Sequence, residues 1–398
     1  MSSHITAGID VGTYEVRVVI AESNDKGHLP SILGTGRAES KGLRHGYIIN
    51  TVDVARSVNL AVRQAEKISG IKIKRAFVSI GGAGLSGINS QGSTIVSRAD
   101  QEITENDIEQ AITAAEESIS DTLIQNRKII YSIPVTWKID GKPVLGRVLG
   151  MKGVKLEAKV LFVSCIESHL DDLVEAVEKT GIEVIDVVAS PIAASFVTLS
   201  KSQKIAGCVL ANIGAETVSI VVFEDNIPIS LEVFSIGGSD ITNDIALGLK
   251  ISLEEAESIK LGGVTTTSYS RKRLEEIISA RLSDIFDLIE AHLKKIGKSG
   301  TLPAGIIITG GSSSIGLIED LARTYLKLPS RIATLNISDL STNSGNTGKF
   351  QIKDSSWSVA YGLCIMGNLP DEEERLGLRK HGKNLISKLI RVLKQFLP

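Results

Sequence analysis

Two stretches of this chain follow one pattern, and any fold it adopts has to accommodate both. In the first, ITAGIDV and EVRVVIAES read as strands, and the glycine-punctuated SILGTGRAESKGLRHGYIIN supplies a strand, a turn and a strand. DVARSVNLAVRQAEKISG then reads as an amphipathic helix with Gly70 as its stop, and KRAFVSIGGAG as a buried strand. The second begins near residue 205 with IAGCVLANIGA, TVSIVVFEDN and IPISLEVFSIGG, followed by a helix opening at Ser239. Both series are βββα in order, and each opens with a strand running into a small glycine-containing turn. This implies an internal duplication of structure, since residue identities between the two are weak. A chain of 398 residues has room for two or more such domains.

The two turns carry the chemistry. Asp10, Gly12 and Thr13 form DVGT between the first two strands. There, backbone N–H groups and a hydroxyl can face phosphate oxygens, and the carboxylate can hold a metal through water. Asn212, Gly214 and Thr217 occupy the matching places in NIGAET. A lone DxGT also suits an ordinary hairpin turn, so the pairing of two such turns is the informative feature. Further on, TGGSSSIGLIEDLA follows the apolar strand GIII and is expected to open a helix. Its glycine pair lets a nucleotide approach the backbone.

Composition removes several alternatives. A net charge of −2 and a pI near 6.4 provide no global basic field for nucleic acid. Aromatic residues make up 4 % of the chain, too few for platforms that stack bases. Cys165, Cys208 and Cys364 follow no metal or redox spacing, and MSSHITAGID lacks the charge and apolar core of a signal peptide, so a reducing, cytosolic setting is expected.

The C-terminal segment NLISKLIRVLKQFLP differs from everything before it. On a helical wheel Leu385, Ile386, Leu389, Ile390, Val392, Leu393, Phe396 and Leu397 fall within an arc of roughly 160°. Ser387, Lys388, Arg391, Lys394 and Gln395 fill the remainder. Such a helix is about 20 Å long, too short to span a bilayer. Residues 367–383 read as a charged, solvated linker, and no acidic residue follows Glu374. One reading docks the helix on the protein's own core. The other, favoured by the linker and the basic face, lays it in the plane of an anionic membrane.

Taken in order, DVGT, SPIAASF (190–196), NIGAET, SIGGSDITNDIA (235–246), AESIK (256–260) and TGGSSS closely resemble the phosphate, connecting and adenosine motifs of the actin and Hsp70 ATPase superfamily. Within it, SKGLRHGYI (40–48), GGSDITNDIA, and IPVTWKIDG running on to GMKGVKLEAKVLFV are similar to the FtsA family of bacterial cell-division proteins. The resemblance implies an α/β, actin-like (ribonuclease H-like) fold of duplicated βββαβα domains, with an FtsA-type inserted subdomain and a C-terminal amphipathic helix. Its divisions would be subdomain 1A at 1–83 and 162–189 with part of 353–366, and the insert 1C at 84–161. Subdomain 2A would occupy 190–234 and 301–352, subdomain 2B 235–300, the linker 367–383 and the membrane-targeting helix 384–398.

The same resemblance implies a function: tethering the FtsZ ring to the cytoplasmic membrane at the septum, forming filaments and recruiting later division proteins, with ATP and Mg as cofactors. Asp10, Gly12 and Thr13 match the first phosphate loop, and Asn212, Gly214 and Thr217 the second. Gly237 and Gly238 lie where the chain passes the ribose and phosphates, and Gly310, Gly311 and Ser312 match the adenine-side turn. Glu257 and Lys260 match adenosine contacts, although their i, i+3 spacing equally suits a solvated ion pair. Membrane contact would fall to Leu385, Ile386, Lys388, Leu389, Ile390, Arg391, Leu393, Lys394, Phe396 and Leu397. The partly acidic C-terminal peptide of FtsZ would dock on residues 235–300, where Arg271, Lys294, Lys295 and Lys298 permit charge steering.

The chain also departs from the family's pattern. Asn212 replaces an aspartate and Glu216 a glycine, Tyr14 and Glu15 stand where a small hydroxyl residue and a lysine are usual, and Ser190 stands where related ATPases often place an acid. An amide cannot orient a magnesium-bound water as a carboxylate does, and a carboxylate at residue 216 would repel phosphates if it faced them. No residue is therefore assigned a catalytic role, and a scaffold with at most slow ATPase activity is expected. A sugar kinase or acid phosphatase of the same fold needs a catalytic carboxylate that Asn212, Glu216 and Ser219 do not reproduce. A pilus-assembly adaptor related to FtsA shares the insert but normally lacks the terminal anchor.

Overall fold

The computed structural model describes residues 4–23, 29–263, 269–335 and 354–368. The terminal amphipathic segment and the linker from residue 369 lie outside the described residues, so the ten membrane-contact assignments do too.

The first βββα series folds as its pattern dictates. β1 (His4–Val11) and β2 (Glu15–Ser23) form an antiparallel hairpin about Gly12 to Tyr14, and β3 (Ser31–Glu39) pairs with β2. A two-stranded ribbon of β4 (Leu43–Arg44) and β5 (Tyr47–Ile48) leads into helix α1 (Thr51–Ser69). The Asn50 side chain caps the first turn of α1 by accepting from Val52 and Asp53 N–H, and Gly70 ends the helix in the left-handed conformation, φ 71°. Alternation along β2 decides which layer each residue enters. Val16, Val18 and Ile20 join the core under α1, while Val19 and Ala21 pack against Tyr361 and Cys364 of the last described helix. β6 (Arg75–Ile80) and β11 (Glu183–Ala189) add parallel strands, giving the order β11-β6-β1-β2-β3.

The second series repeats this topology. β12 (Cys208–Ile213), β13 (Val218–Glu224) and β14 (Ile227–Phe234) are antiparallel, and β15 (Ile306–Thr309) and β16 (Ser330–Ile332) continue the sheet in parallel, in the order β14-β13-β12-β15-β16. Three antiparallel strands followed by two parallel ones, in matching spatial order, make the two sheets counterparts.

Between β6 and β11 an inserted unit forms its own sheet, β7 (Ser86–Ile95), β10 (Lys155–Ile166), β8 (Arg127–Ile139) and β9 (Lys142–Val144) in that spatial order. Helix α2 (Glu105–Glu117) and the short α3 (Asp121–Ile124) accompany it, around a separate core that includes Ile103, Ile112, Leu156 and Phe162. Helix α4 (Glu167–Glu178) leads back to the first sheet, and α5 (Ser190–Thr198) and α6 (Lys201–Ala206) lead on to the second. The second half adds α7 (Gly238–Leu249), α8 (Leu253–Lys260), α9 (Arg271–Lys295) and α10 (Ile318–Leu326), and α11 (Ser358–Gly367) returns to the first sheet.

Two local expectations change. The second series does not start as strand near residue 205: a capping box at Ser200 and Gln203 makes Lys201–Ala206 helical, and the strand begins at Cys208. TGGSSS does not open a helix directly, because Gly311–Ser314 form a 3-10 turn and α10 begins only at Ile318. No helix among the described residues is long and apolar enough to cross a membrane.

Candidate nucleotide cleft

The β1–β2 and β12–β13 turns, one from each half, meet at a cleft of about 510 Å³. Of the nucleotide-contact residues expected from the sequence, Asp10, Gly12, Thr13, Asn212, Gly214, Thr217, Glu257, Lys260, Gly310, Gly311 and Ser312 line it.

Asp10 stands next to last in β1, and its carboxylate accepts from Ser79 Oγ at 2.6 Å. Burial pushes its pKa up, while the Ser79 hydroxyl and the nearby Arg17 guanidinium pull the other way. The second turn is strapped from three sides. Gly214 N–H donates to Thr217 O at 2.9 Å, Gly214 O accepts from Gly238 N–H at 2.9 Å, and Ser312 Oγ donates to the same carbonyl at 3.1 Å. Asn212 pairs with Thr309 across β12 and β15, which brings its amide beside Gly310. Gly310 has φ 96°, and a Cβ there would lie 2.4 Å from Asn212 Oδ1, so this position excludes a side chain.

Glu257 and Lys260 do not form a solvated ion pair. The Lys260 side chain is 5 % exposed, and its Nζ donates to Glu257 Oε2 at 2.6 Å, Thr242 Oγ1 at 2.9 Å and Gly238 O at 3.1 Å. Burying an ammonium is tolerable only with such a set of acceptors. The cluster thus presents a rigid polar wall to the cleft. Gly237 and Gly238, also expected at the nucleotide, are not among the lining residues: Gly237 packs against the Ala215 carbonyl, and Gly238 O anchors Lys260.

Glu216 turns out differently from expectation. It does not line the cleft, and its carboxylate accepts from the backbone N–H of His45 in the β4–β5 ribbon, on the other half of the molecule. This contact turns the side chain away from the cleft that a phosphate-facing acid would line. Ser190 does line the cleft, so no acid occupies that position.

Several lining residues escaped sequence reasoning: Arg17, Arg37, Ser79, Asp354 and Ser356. Arg17 stands opposite Asp10 because the β1–β2 register is centred between Thr13 and Tyr14, one residue beyond the Gly12–Thr13 pair that the local pattern marks. Nothing local marks Asp354 and Ser356, which are distant in sequence.

The basic residues expected to meet a partner peptide are already engaged to different degrees. Lys298 Nζ holds both carboxylate oxygens of Glu224, at 2.6 and 2.7 Å. Arg271 pairs with Glu275 at 3.1 Å, and Lys294 lies 3.5 Å from Glu290 with its side chain largely exposed.

Comparison with known proteins decides the family. Residues 209–362 match the family model of cell division protein FtsA, and residues 82–164 match that of the SHS2 domain inserted in FtsA. Cell division protein FtsA of Borreliella burgdorferi is 31 % identical over 387 residues, spanning 92 % of this chain and 91 % of that protein. The chain belongs to the FtsA family. It is an actin-like cell-division protein with an SHS2 insert. Solved structures agree on the fold of this FtsA-family protein. That of a PilM–PilN type IV pilus biogenesis complex superposes with a TM-score of 0.69 at 16 % identity, covering 92 % of this chain and 99 % of the other. MreB5 of Spiroplasma citri bound to ADP gives a TM-score of 0.53 at 12 % identity, covering 94 % and 99 %.

Proposed function

We propose that this FtsA-family chain binds ATP with magnesium in the cleft, turns it over slowly at most, and acts as a scaffold that holds FtsZ polymers to the cytoplasmic face of the membrane at the septum. The convergence of two glycine turns from opposite halves on one cleft, lined also by Glu257 and Lys260, carries the nucleotide part. Backbone N–H groups at Gly12, Thr13 and Thr217 would hold the phosphates, with Gly214, whose N–H is spent on Thr217 O, shaping the second turn; Glu257 and Lys260 would face the ribose side, and Gly310, Gly311 and Ser312 the adenine side. Asp10 would hold magnesium through water, and the metal would neutralise phosphate charge. Asn212 and Ser190 offer hydrogen bonds in place of acids, so the site positions a nucleotide without the carboxylates that would orient an attacking water. The scaffold part is supported by family membership and by the amphipathic pattern of residues 384–398.

Calorimetric titration of the purified full-length protein with Mg-ATP, alongside a phosphate-release assay, tests this. Saturable binding with little release is expected. Absence of binding removes the nucleotide reading, and rapid hydrolysis abolished by Asp10→Ala would return the chain to active ATPases.

A further inference from the structure

Two sides of the cleft are joined just outside it. The β4–β5 ribbon, in the first half, contributes Gly46 and Ile48 to the lining, and the β12–β13 turn, in the second, contributes Gly214, Ala215 and Thr217. Their neighbours His45 and Glu216 are not lining residues, yet the Glu216 carboxylate accepts from the His45 N–H and so links the two halves. Both ends of this link are fixed. On the first half, a Cβ at Gly46 would fall on Gly82 Cα, and His45 O accepts from Ala83 N–H at 3.3 Å, so the ribbon turn is seated on the chain that leaves β6. On the second, Ala215 O accepts from Ser239 N–H at 2.7 Å, and Gly214 is bonded to both Thr217 and Gly238. The movable piece between these two anchors is one glutamate side chain. A carboxylate bonded to a backbone N–H is stronger than a neutral pair, but it is a single contact, and it can open while both turns keep their own bonds.

We infer that Glu216 is a positioning residue that straps the cleft shut and sets the rate at which nucleotide enters and leaves. The inference rests on the nucleotide reading and adds a kinetic control to it. The strap consists of protein groups alone and touches no ligand, so it favours the closed form whether the cleft is filled or empty. A nucleotide passes only while the strap is open. Entry and exit are therefore slowed by the same factor, the fraction of time spent open, and affinity stays nearly unchanged.

The donor is a backbone amide, so hydrogen exchange at His45 reads the strap directly, with no nucleotide present. The test applies this measurement, and stopped-flow kinetics with a fluorescent Mg-ATP analogue, to full-length wild type, Glu216→Ala and Glu216→Gln. Glu216→Ala is expected to speed exchange at His45 and to raise the association and dissociation rates together by about tenfold, with the dissociation constant shifting much less. Glu216→Gln keeps a neutral acceptor of the same length and should fall in between. Unchanged exchange at His45 in Glu216→Ala would mean that the strap does not hold in solution and overturn the inference. Faster exchange with unchanged nucleotide rates would make the contact purely structural and overturn it as well. Faster dissociation with unchanged association would make Glu216 part of the binding surface, not a gate. Wild type that protects His45 but binds no nucleotide sinks the nucleotide reading, and the gate with it, whereas failure of the gate alone leaves binding intact.

Discussion

His292 lies on α9 with 7 % exposure, its Nε2 2.8 Å from Ser230 Oγ and its Nδ1 3.7 Å from Glu232 Oε2. Burial, helped by the positive charge of Lys295, pushes its pKa down to about 4. The unfolded chain takes up this proton near the ordinary value of about 6.5. Between those values the unfolded state binds the proton and the native state does not, so stability falls as pH drops from about 6.5 to 4 and this contribution levels off below. The upper bound is about 3 kcal/mol. Glu232, whose pKa burial raises, works in the opposite sense and offsets part of the slope. His292→Gln is therefore expected to flatten the fall in melting temperature between pH 7 and 5. An unchanged slope would place the acid sensitivity elsewhere.

At the scale of elements, the β12–β13 turn and the β4–β5 ribbon are joined through Glu216 and the His45 N–H. The ribbon turn is set for this contact: His45 and Gly46 both adopt positive φ, 49° and 80°, and Gly46 lies directly on Gly82. Because the carboxylate is held there, Asn212→Asp alone should tighten Mg-ATP binding by about fivefold to tenfold, by adding an acid beside the phosphates without an existing repulsion to overcome. Titration of Asn212→Asp and of the double variant with Glu216→Gly checks this. If Asn212→Asp has an effect only in the presence of Glu216→Gly, Glu216 does reach the phosphates. The contact also shows where sequence reading stops. DVGT, NIGAET, α1 with its Gly70 end, and the duplicated strand order all follow from local chemistry and period, whereas the Asn50 cap falls in a stretch that reads as strand. The direction of Glu216 depends on a partner 171 residues away. The burial of Lys260 depends on Gly238 and Thr242, and the same i, i+3 pair on an exposed helix would read identically. The arrival of Arg17 and Arg37 beside Asp10 at the cleft depends on the registers of two strand pairs, which alternation alone does not fix.

For the whole molecule, the proposed function depends on connecting two surfaces, the proposed partner-binding face of residues 235–300 and the proposed membrane-contacting segment 384–398. On the first, Lys298 is committed to Glu224, so reversing its charge would break a structural ion pair and confuse the result. Lys294→Glu with Lys295→Glu avoids this. If the proposed docking holds, the pair should weaken binding of an acidic FtsZ C-terminal peptide by about tenfold, mainly through slower association and with reduced salt dependence. An unchanged association rate in surface plasmon resonance would move the contact off this face. On the second, the proposed anchor, an apolar arc would supply burial and a basic face attraction to anionic lipid, so both would be needed for stable attachment. Leu389→Glu with Phe396→Glu places two carboxylates in the apolar arc. It should release the protein from anionic vesicles in a sedimentation assay while leaving the melting temperature of the body unchanged. A variant that still pellets, with its salt dependence intact, would assign membrane attachment to another part of the chain. The linker expected at 367–383 is shortened at its start, because Gly367 ends α11 and the Asn368 side chain bonds Thr6 and Cys364; as a random coil, 369–383 would reach about 20 Å, which would keep the cleft and the proposed peptide-binding face close to the lipid surface.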